Sequence, residues 1–140
     1  MRRNPIDFHL RGRLILVVGG GAGLAPALEL LLGAGAFVRV VAKQVDDALQ
    51  DTFRGGCGIW ERRDFAPRDL HHAALAVIAT GNVERDLQLA RAARASRVPV
   101  ALPDRPDFSD FALGPPESDT GVPRDRAPRA GAVSQQATSL

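Results

Sequence analysis

With a single cysteine in 140 residues, the chain can close no internal disulfide, and Gly56 and Gly58 beside Cys57 leave it without CxxC or metal-ligand spacing. That scarcity fits a reducing, cytoplasmic setting. No apolar run comes near the roughly 18 residues that a membrane-spanning helix needs. The opening Met1-Arg2-Arg3-Asn4-Pro5 leads into polar sequence rather than a signal-peptide core, so a soluble protein is expected. A strong charge of one sign is also missing. Eighteen basic residues against 16 acidic ones leave a formal charge of +2, too small and too dispersed to make a nucleic-acid surface. Neither a G-x-S-x-G elbow nor an H-E-x-x-H helix occurs, and Cys57 has no assignable base, which argues against hydrolase chemistry.

What is present suits one modest globular core, since 45% of the residues are hydrophobic and the length is that of about one domain. Arg13 to Val18 is a short continuous apolar run stopped by Gly19-Gly20-Gly21, the pattern of a parallel strand buried on both faces. Leu24, Ala27, Leu28, Leu31 and Leu32 then recur at helical spacing, with Gly33 and Gly35 as stop signals. Phe37 to Ala42 repeats the buried-strand pattern and closes a βαβ unit. Asp46 and Asp47 precede a short helix through Phe53 that Gly55-Gly56 ends, the acids favoured there by the helix dipole. Further strands are expected over Gly58 to Arg62, with Ile59 as the clearest inward residue, over Ala74 to Thr80, and over Val98 to Leu102. A helix is expected over Arg85 to Ser96, with Leu87, Leu89, Ala90 and Ala93 near one face. This alternation predicts an α/β fold, a Rossmann-like doubly wound parallel sheet in a single domain over residues 1–113. From Gly114 to Leu140 the texture changes, with Pro115, Pro116, Pro123 and Pro128 among small polar residues. That tail is expected to be disordered or ordered only against a partner, because it has too little apolar surface to offset ordering entropy.

Gly19-Gly20-Gly21-Ala22-Gly23-Leu24 follows a predicted strand and opens a predicted helix, the context in which glycines let a pyrophosphate approach the backbone and the helix N-terminus. Gly19 and Gly21 fill the first two positions of G-x-G-x-x-G. Leu24 stands where a third Gly or Ala is expected, and Pro26, comfortable only in a helix's first turn, suggests that the helix begins late. The other reading of the same residues is a tight turn that holds no ligand. The ribose-binding acid expected about 20 residues on is replaced by Lys43 and Gln44. Lys43 suits the 2′-phosphate of NADP, or is simply a solvated residue at a strand end.

The residues resemble the N-terminal domain of siroheme synthases and the stand-alone precorrin-2 dehydrogenases, in one register from Pro5 to about Phe111. The resemblance rests on Pro5-Ile6-x-Phe8, Leu10-Arg11-Gly12-Arg13, Val17-Val18-Gly19-Gly20-Gly21, Leu30-Leu31-Leu32-x-Ala34-Gly35-Ala36, Val40-Val41-Ala42, Ile78-Ala79-Thr80, Asp104-x-Pro106 and Asp110-Phe111. It implies oxidation of the tetrapyrrole precorrin-2 to sirohydrochlorin with NAD as hydride acceptor, and in many members iron insertion to give siroheme. It places dinucleotide contacts on Gly19, Gly20, Gly21, Ala22 and Gly23, on Lys43 and Gln44, and on Thr80 and Gly81, and the aspartate needed for dehydrogenation and chelation on Asp104. A carboxylate just past a strand's C-terminal end can take protons from such a substrate, while turn chemistry beside Pro103 and Pro106 is the other reading of Asp104. The chain departs from the family at Pro26 and Ala27, where an Arg-Lys pair is usual, at Gly81 in place of an acid, and at Ala101 in place of an asparagine. Its tail from Gly114 resembles neither the dimerisation segment nor the helical domain that follow in the family.

The remaining candidates read as structural. His71 and His72 are adjacent, point apart on regular structure and lack companions for a metal. His9 reads as solvated, Trp60 and Phe65 as packing residues, with Trp60 at a sheet edge also suited to a partner interface. Arg85, Arg91, Arg94 and Arg97 read as the solvated face of the last helix. Two functions therefore stand: an NAD-dependent precorrin-2 dehydrogenase-like protein with Asp104 as acid/base, or a non-catalytic Rossmann-fold subunit that docks on a larger complex through its surface and tail. Dinucleotide binding without turnover lies between them.

Overall fold

The computed structural model describes residues 4–53 and 58–113; the expected tail, Cys57 and the Gly55-Gly56 helix stop lie outside them. Five parallel strands run in the order β3-β2-β1-β4-β5, with β1 Leu14–Val18, β2 Phe37–Val41, β3 Gly58–Glu61, β4 Leu75–Ile78 and β5 Val100–Ala101. Helices α1 Ala25–Gly33, α2 Asp47–Phe53 and α3 Val83–Ala95 connect them, with 3-10 turns at Ala22–Leu24, Pro67–Leu70 and Pro106–Phe108. The predicted doubly wound parallel sheet is present. The chain builds outward from β1 to β2 and β3, then returns to the other side of β1 for β4 and β5. The direction of winding thus reverses between β1 and β4, and in such sheets ligands bind beyond the strand C-termini at that reversal.

Residues of one strand alternate between two cores, because successive side chains leave a strand on opposite faces. Ile15, Val17, Val38 and Val40 pack with Leu24, Leu28 and Leu31 at and after the glycine turn and with Leu49 of α2. Leu16, Val18, Val41, Ala76 and Ile78 pack on the other face with Leu89, Ala90 and Ala93 of α3. Both faces are covered over the central strands, which is why these strands read as unbroken apolar runs rather than as alternation. Truncating fully buried Leu28 or Leu31 to alanine is expected to cost about 2–5 kcal/mol.

Three local expectations need correction. Ile59 is not inward: it is 43% exposed, and Gly58 and Trp60, one residue away on either side, are the positions that turn toward Phe53 and the α1–α2 core. On the Ile59 face α3 packs over β4 and β5, so among the described residues no helix covers the edge strand there. The last helix starts earlier than expected, at Val83, because the Asn82 side chain accepts a hydrogen bond from the Arg85 amide and caps it. Arg94 does more than solvate that helix. Its guanidinium donates to the Asp110 carboxylate at 3.2 Å and to the Phe108 carbonyl. The late start of α1 holds, with Pro26 as its second residue, after a 3-10 turn. His9, His71 and His72 are exposed, and among the described residues no His, Cys, Asp and Glu cluster could hold a metal ion and no helix is long and apolar enough to cross a membrane.

Candidate functional site

The C-terminal end of β1 enters the glycine turn, and two of its glycines are fixed by their neighbours. Gly19 has φ +126°, and a Cβ there would stand 2.1 Å from the Ala79 carbonyl oxygen at the end of β4. A Cβ on Gly20 would stand 2.0 Å from the Gln44 carbonyl oxygen, while the Gly20 carbonyl accepts from the Asp46 amide at 2.8 Å. The ends of β4 and β2 are thereby drawn against the turn from either side. Side chains longer than hydrogen are excluded by backbone, which cannot swing away as a side chain can.

Gly21 and Gly23 are different, since a Cβ at either would meet nothing within 4 Å. Their backbone borders open space. Among the described residues the amides of Gly20, Gly21, Ala22 and Gly23 donate no hydrogen bond, and the first bond of the turn runs from the Leu24 amide to the Gly21 carbonyl at 3.0 Å. No acidic side chain lies in the first turn of the 3-10 segment or of α1. Free amides at the positive end of a helix, with room before them and no opposing carboxylate, suit the pyrophosphate of a dinucleotide. Leu24, 2% exposed, takes the third position of the motif by turning into the core, so it narrows nothing on the open side. The residues present therefore fit such a group at Gly21, Ala22 and Gly23.

The other predicted positions are gathered at the same end of the sheet. Lys43 and Gln44 follow β2, exposed, with Lys43 Nζ 3.3 Å from Asp64. Thr80 and Gly81 follow β4 across the winding reversal. Asp104 follows β5, exposed and without a hydrogen bond or ion pair among the described residues. Neighbouring strands lie about 4.8 Å apart, so β5 stands roughly 10 Å from β1 across the sheet. The fold thus sets the open glycine turn and an exposed carboxylate at the same end of the sheet.

Three features of this region were not foreseen from sequence. Asp86 is 4% exposed, and its Oδ1 accepts from the Thr80 amide at 2.9 Å and from the Thr80 hydroxyl at 2.5 Å. It fixes the backbone just before Gly81. The available signal was its phase, since Asp86 precedes buried Leu89, Ala90 and Ala93 by three, four and seven residues and so shares their inward stripe. Ser109 and Asp110 hold the Asp104 loop: the Leu102 amide donates to Ser109 Oγ at 2.8 Å, and the Val100 amide to Asp110 Oδ2 at 3.0 Å. These bonds also cover the outer edge of β5. Finally, Arg63 makes a two-point contact with Asp69, at 2.9 and 2.6 Å, and the Ala66 amide donates to the same carboxylate. Burial opposes the charge on Asp69, but the hydrogen bonds from Arg63 and Ala66 outweigh it and hold the carboxyl below the usual range.

Residues 6–115 match the family described as "Putative NAD(P)-binding". A siroheme synthase of Azotobacter vinelandii is 38% identical over 104 residues, 74% of this chain and 22% of that protein. One from Neisseria meningitidis serogroup C is 33% identical over 107 residues, 76% of this chain and 22% of that protein. The chain thus spans about a fifth of the length of these relatives. Among solved structures, the precorrin-2 dehydrogenase SirC superposes with a TM-score of 0.63 at 24% identity, covering 80% of this chain and 54% of that one. At that identity the likeness is one of fold.

Proposed function

This chain belongs to the NAD(P)-binding family that includes the N-terminal part of siroheme synthases, and we propose that it acts as a precorrin-2 dehydrogenase, oxidising precorrin-2 to sirohydrochlorin. The observation that carries the reading is the open glycine turn, with free amides at Gly21, Ala22 and Gly23 facing the same sheet end as an unpartnered carboxylate. The dinucleotide supplies a hydride acceptor when bound. Gly21 to Gly23 hold its pyrophosphate, the strand-end residues Lys43 and Gln44 face its adenosine side, and Thr80-Gly81 border the crevice toward β5. Asp104, exposed and without a hydrogen bond among the described residues, takes up the proton that the tetrapyrrole releases as it loses the hydride. Ser109 and Asp110 keep that loop in place.

The second reading, a subunit that docks without turnover, draws on Pro26 and Ala27, which stand where an Arg-Lys pair is usual in the family that the sequence resembles. The two separate in one experiment: titrate the purified chain with NAD(P)H, then follow precorrin-2 oxidation in the protein and in Asp104→Ala. The dehydrogenase reading expects micromolar binding, about 8 kcal/mol, lost in Gly21→Asp, and turnover lost in Asp104→Ala. Turnover unaffected by that substitution removes Asp104 from the mechanism, and absence of both binding and turnover turns the reading to docking.

A further inference from the structure

We propose that Asp86 is a positioning residue for turnover: from the first turn of α3 it holds Thr80 and Gly81, at the end of β4, in a fixed place beside Asp104. The inference rests on the dehydrogenase reading above and concerns the geometry of the reaction, not the identity of the cofactor. The sheet stops holding β4 at Ala79, whose amide donates to the Val18 carbonyl at 2.9 Å and whose own carbonyl lies against Gly19. The next amide, that of Thr80, has no backbone acceptor among the described residues. It donates instead to Asp86 Oδ1 at 2.9 Å, and the Thr80 hydroxyl donates to the same oxygen at 2.5 Å. Thr80 Oγ in turn accepts from the Asn82 amide at 3.3 Å. Between these anchors stands Gly81, at φ +90°, where a Cβ would meet nothing within 4 Å. One inward side chain therefore sets the course of the backbone as it leaves the sheet into open space.

What that backbone faces follows from the register. Ala76 lies opposite Val100, and Val77 opposite Ala101. Continued past the strand ends, this pairing brings Thr80 level with Asp104, one strand spacing away, about 4.8 Å. The same helix braces both sides. Asp86 in its first turn holds the end of β4, and Arg94 in its last turn binds the Asp110 carboxylate and the Phe108 carbonyl of the segment that follows Asp104. Misplacing reacting groups by about 1 Å can cost about 100-fold in rate, so the span that α3 fixes bears on turnover.

Stability alone does not account for an acid at this place. Asp86 is buried in the stripe of Leu89, Ala90 and Ala93, where an apolar side chain would pay no desolvation cost. Among the described residues no cation forms an ion pair with it. Its hydrogen bonds go to Thr80 alone. A buried acid that breaks the pattern of its own helix in order to hold one strand end is the kind of local exception expected at a functional site.

The test follows precorrin-2 oxidation and amide hydrogen exchange side by side in the full chain and in Asp86→Ala, Asp86→Asn and Thr80→Val. In Asp86→Ala, kcat is expected to fall about 10- to 100-fold with KM for precorrin-2 within about twofold of the parent. Exchange at Thr80 and Gly81 is expected to quicken more than at Val77 within β4. Asp86→Asn, which keeps an acceptor oxygen for Thr80, is expected to recover most of both. Thr80→Val, which removes one of the two donors, is expected to lose part of kcat and serves as the deciding variant where Asp86→Ala does not fold. Parent-like kcat in the deciding variant, a loss carried by KM alone, a loss without faster exchange at Thr80, or Asp86→Asn as slow as Asp86→Ala overturns the positioning role and leaves the dehydrogenase reading standing. A parent chain that does not oxidise precorrin-2 overturns both.

Discussion

Gly19 at the end of β1 lies so close to Ala79 at the end of β4 that a Cβ on the glycine would fall 2.1 Å from the alanine's carbonyl oxygen, whereas Gly21, two residues on, faces open space. One glycine serves the fold and the other leaves room for a ligand. Gly19→Ala combines a steric overlap with backbone and a φ of +126°, so a loss of about 2–5 kcal/mol is expected in urea unfolding. Gly21→Ala, in extended backbone at φ −77° with nothing nearby, is expected to change stability by less than about 0.5 kcal/mol. Its dinucleotide affinity should nevertheless fall, which a titration beside the unfolding curve checks.

Asp86 answers the Thr80 amide and hydroxyl from inside the protein. Asp86→Ala leaves that amide without a partner and is expected to destabilise the fold by about 1–3 kcal/mol. Thermal unfolding of Asp86→Ala against Thr80→Val and the double variant tests the pair: strongly non-additive losses are expected, and simple additivity would show that the two residues act separately.

The Arg63–Asp69 contact gives stability a dependence on acid. Because the folded carboxyl sits below its ordinary value, the unfolded chain binds more protons between the two values, and stability rises with pH across that window. The contribution is present above about pH 4, the ordinary carboxylate range, and is lost as the pH falls through the folded value. Asp69→Asn is expected to flatten this acid limb and to lower stability at pH 7 by about 1–3 kcal/mol. Unfolding curves at pH 3 and pH 7 for both proteins check it, and equal slopes would assign the acid sensitivity to other groups.

Asp104 and Ser109 should respond differently. Asp104 makes no hydrogen bond or ion pair among the described residues, so Asp104→Asn is expected to leave unfolding within about 0.5 kcal/mol of the parent while lowering precorrin-2 turnover about 100-fold or more. Ser109→Ala deprives the Leu102 amide of its acceptor and is expected to cost about 1–2 kcal/mol, with a smaller loss of turnover through a less ordered loop. A stability loss in Asp104→Asn that matched Ser109→Ala would make both residues structural.

Much of the architecture was legible because neighbours in sequence reveal it. Apolar runs such as Leu14–Val18 and Phe37–Val41, stopped by glycines and separated by helical spacing, specify buried parallel strands and their crossovers. Ile59 was misplaced because its strand reads the same whether or not a helix covers both faces, and only the position of β3 at the sheet edge exposes one of them. Asp86 escaped notice because a charge in an amphipathic helix ordinarily marks the solvated side; its partner Thr80 lies before the helix.

By itself, the sequence determined the strand and helix order, the parallel sheet, the late start of α1 at Pro26, and the family register that marks the glycine turn and Asp104. Local spacing and turn chemistry carry that information. Only the tertiary structure decided that Gly19 and Gly20 are filled in by the backbone of β4 and of the β2–α2 loop while Gly21 and Gly23 stand open, that Asp86 faces inward, and that Arg94 closes on Asp110. Those outcomes depend on which strand ends meet across the sheet, a long-range register that no single segment encodes.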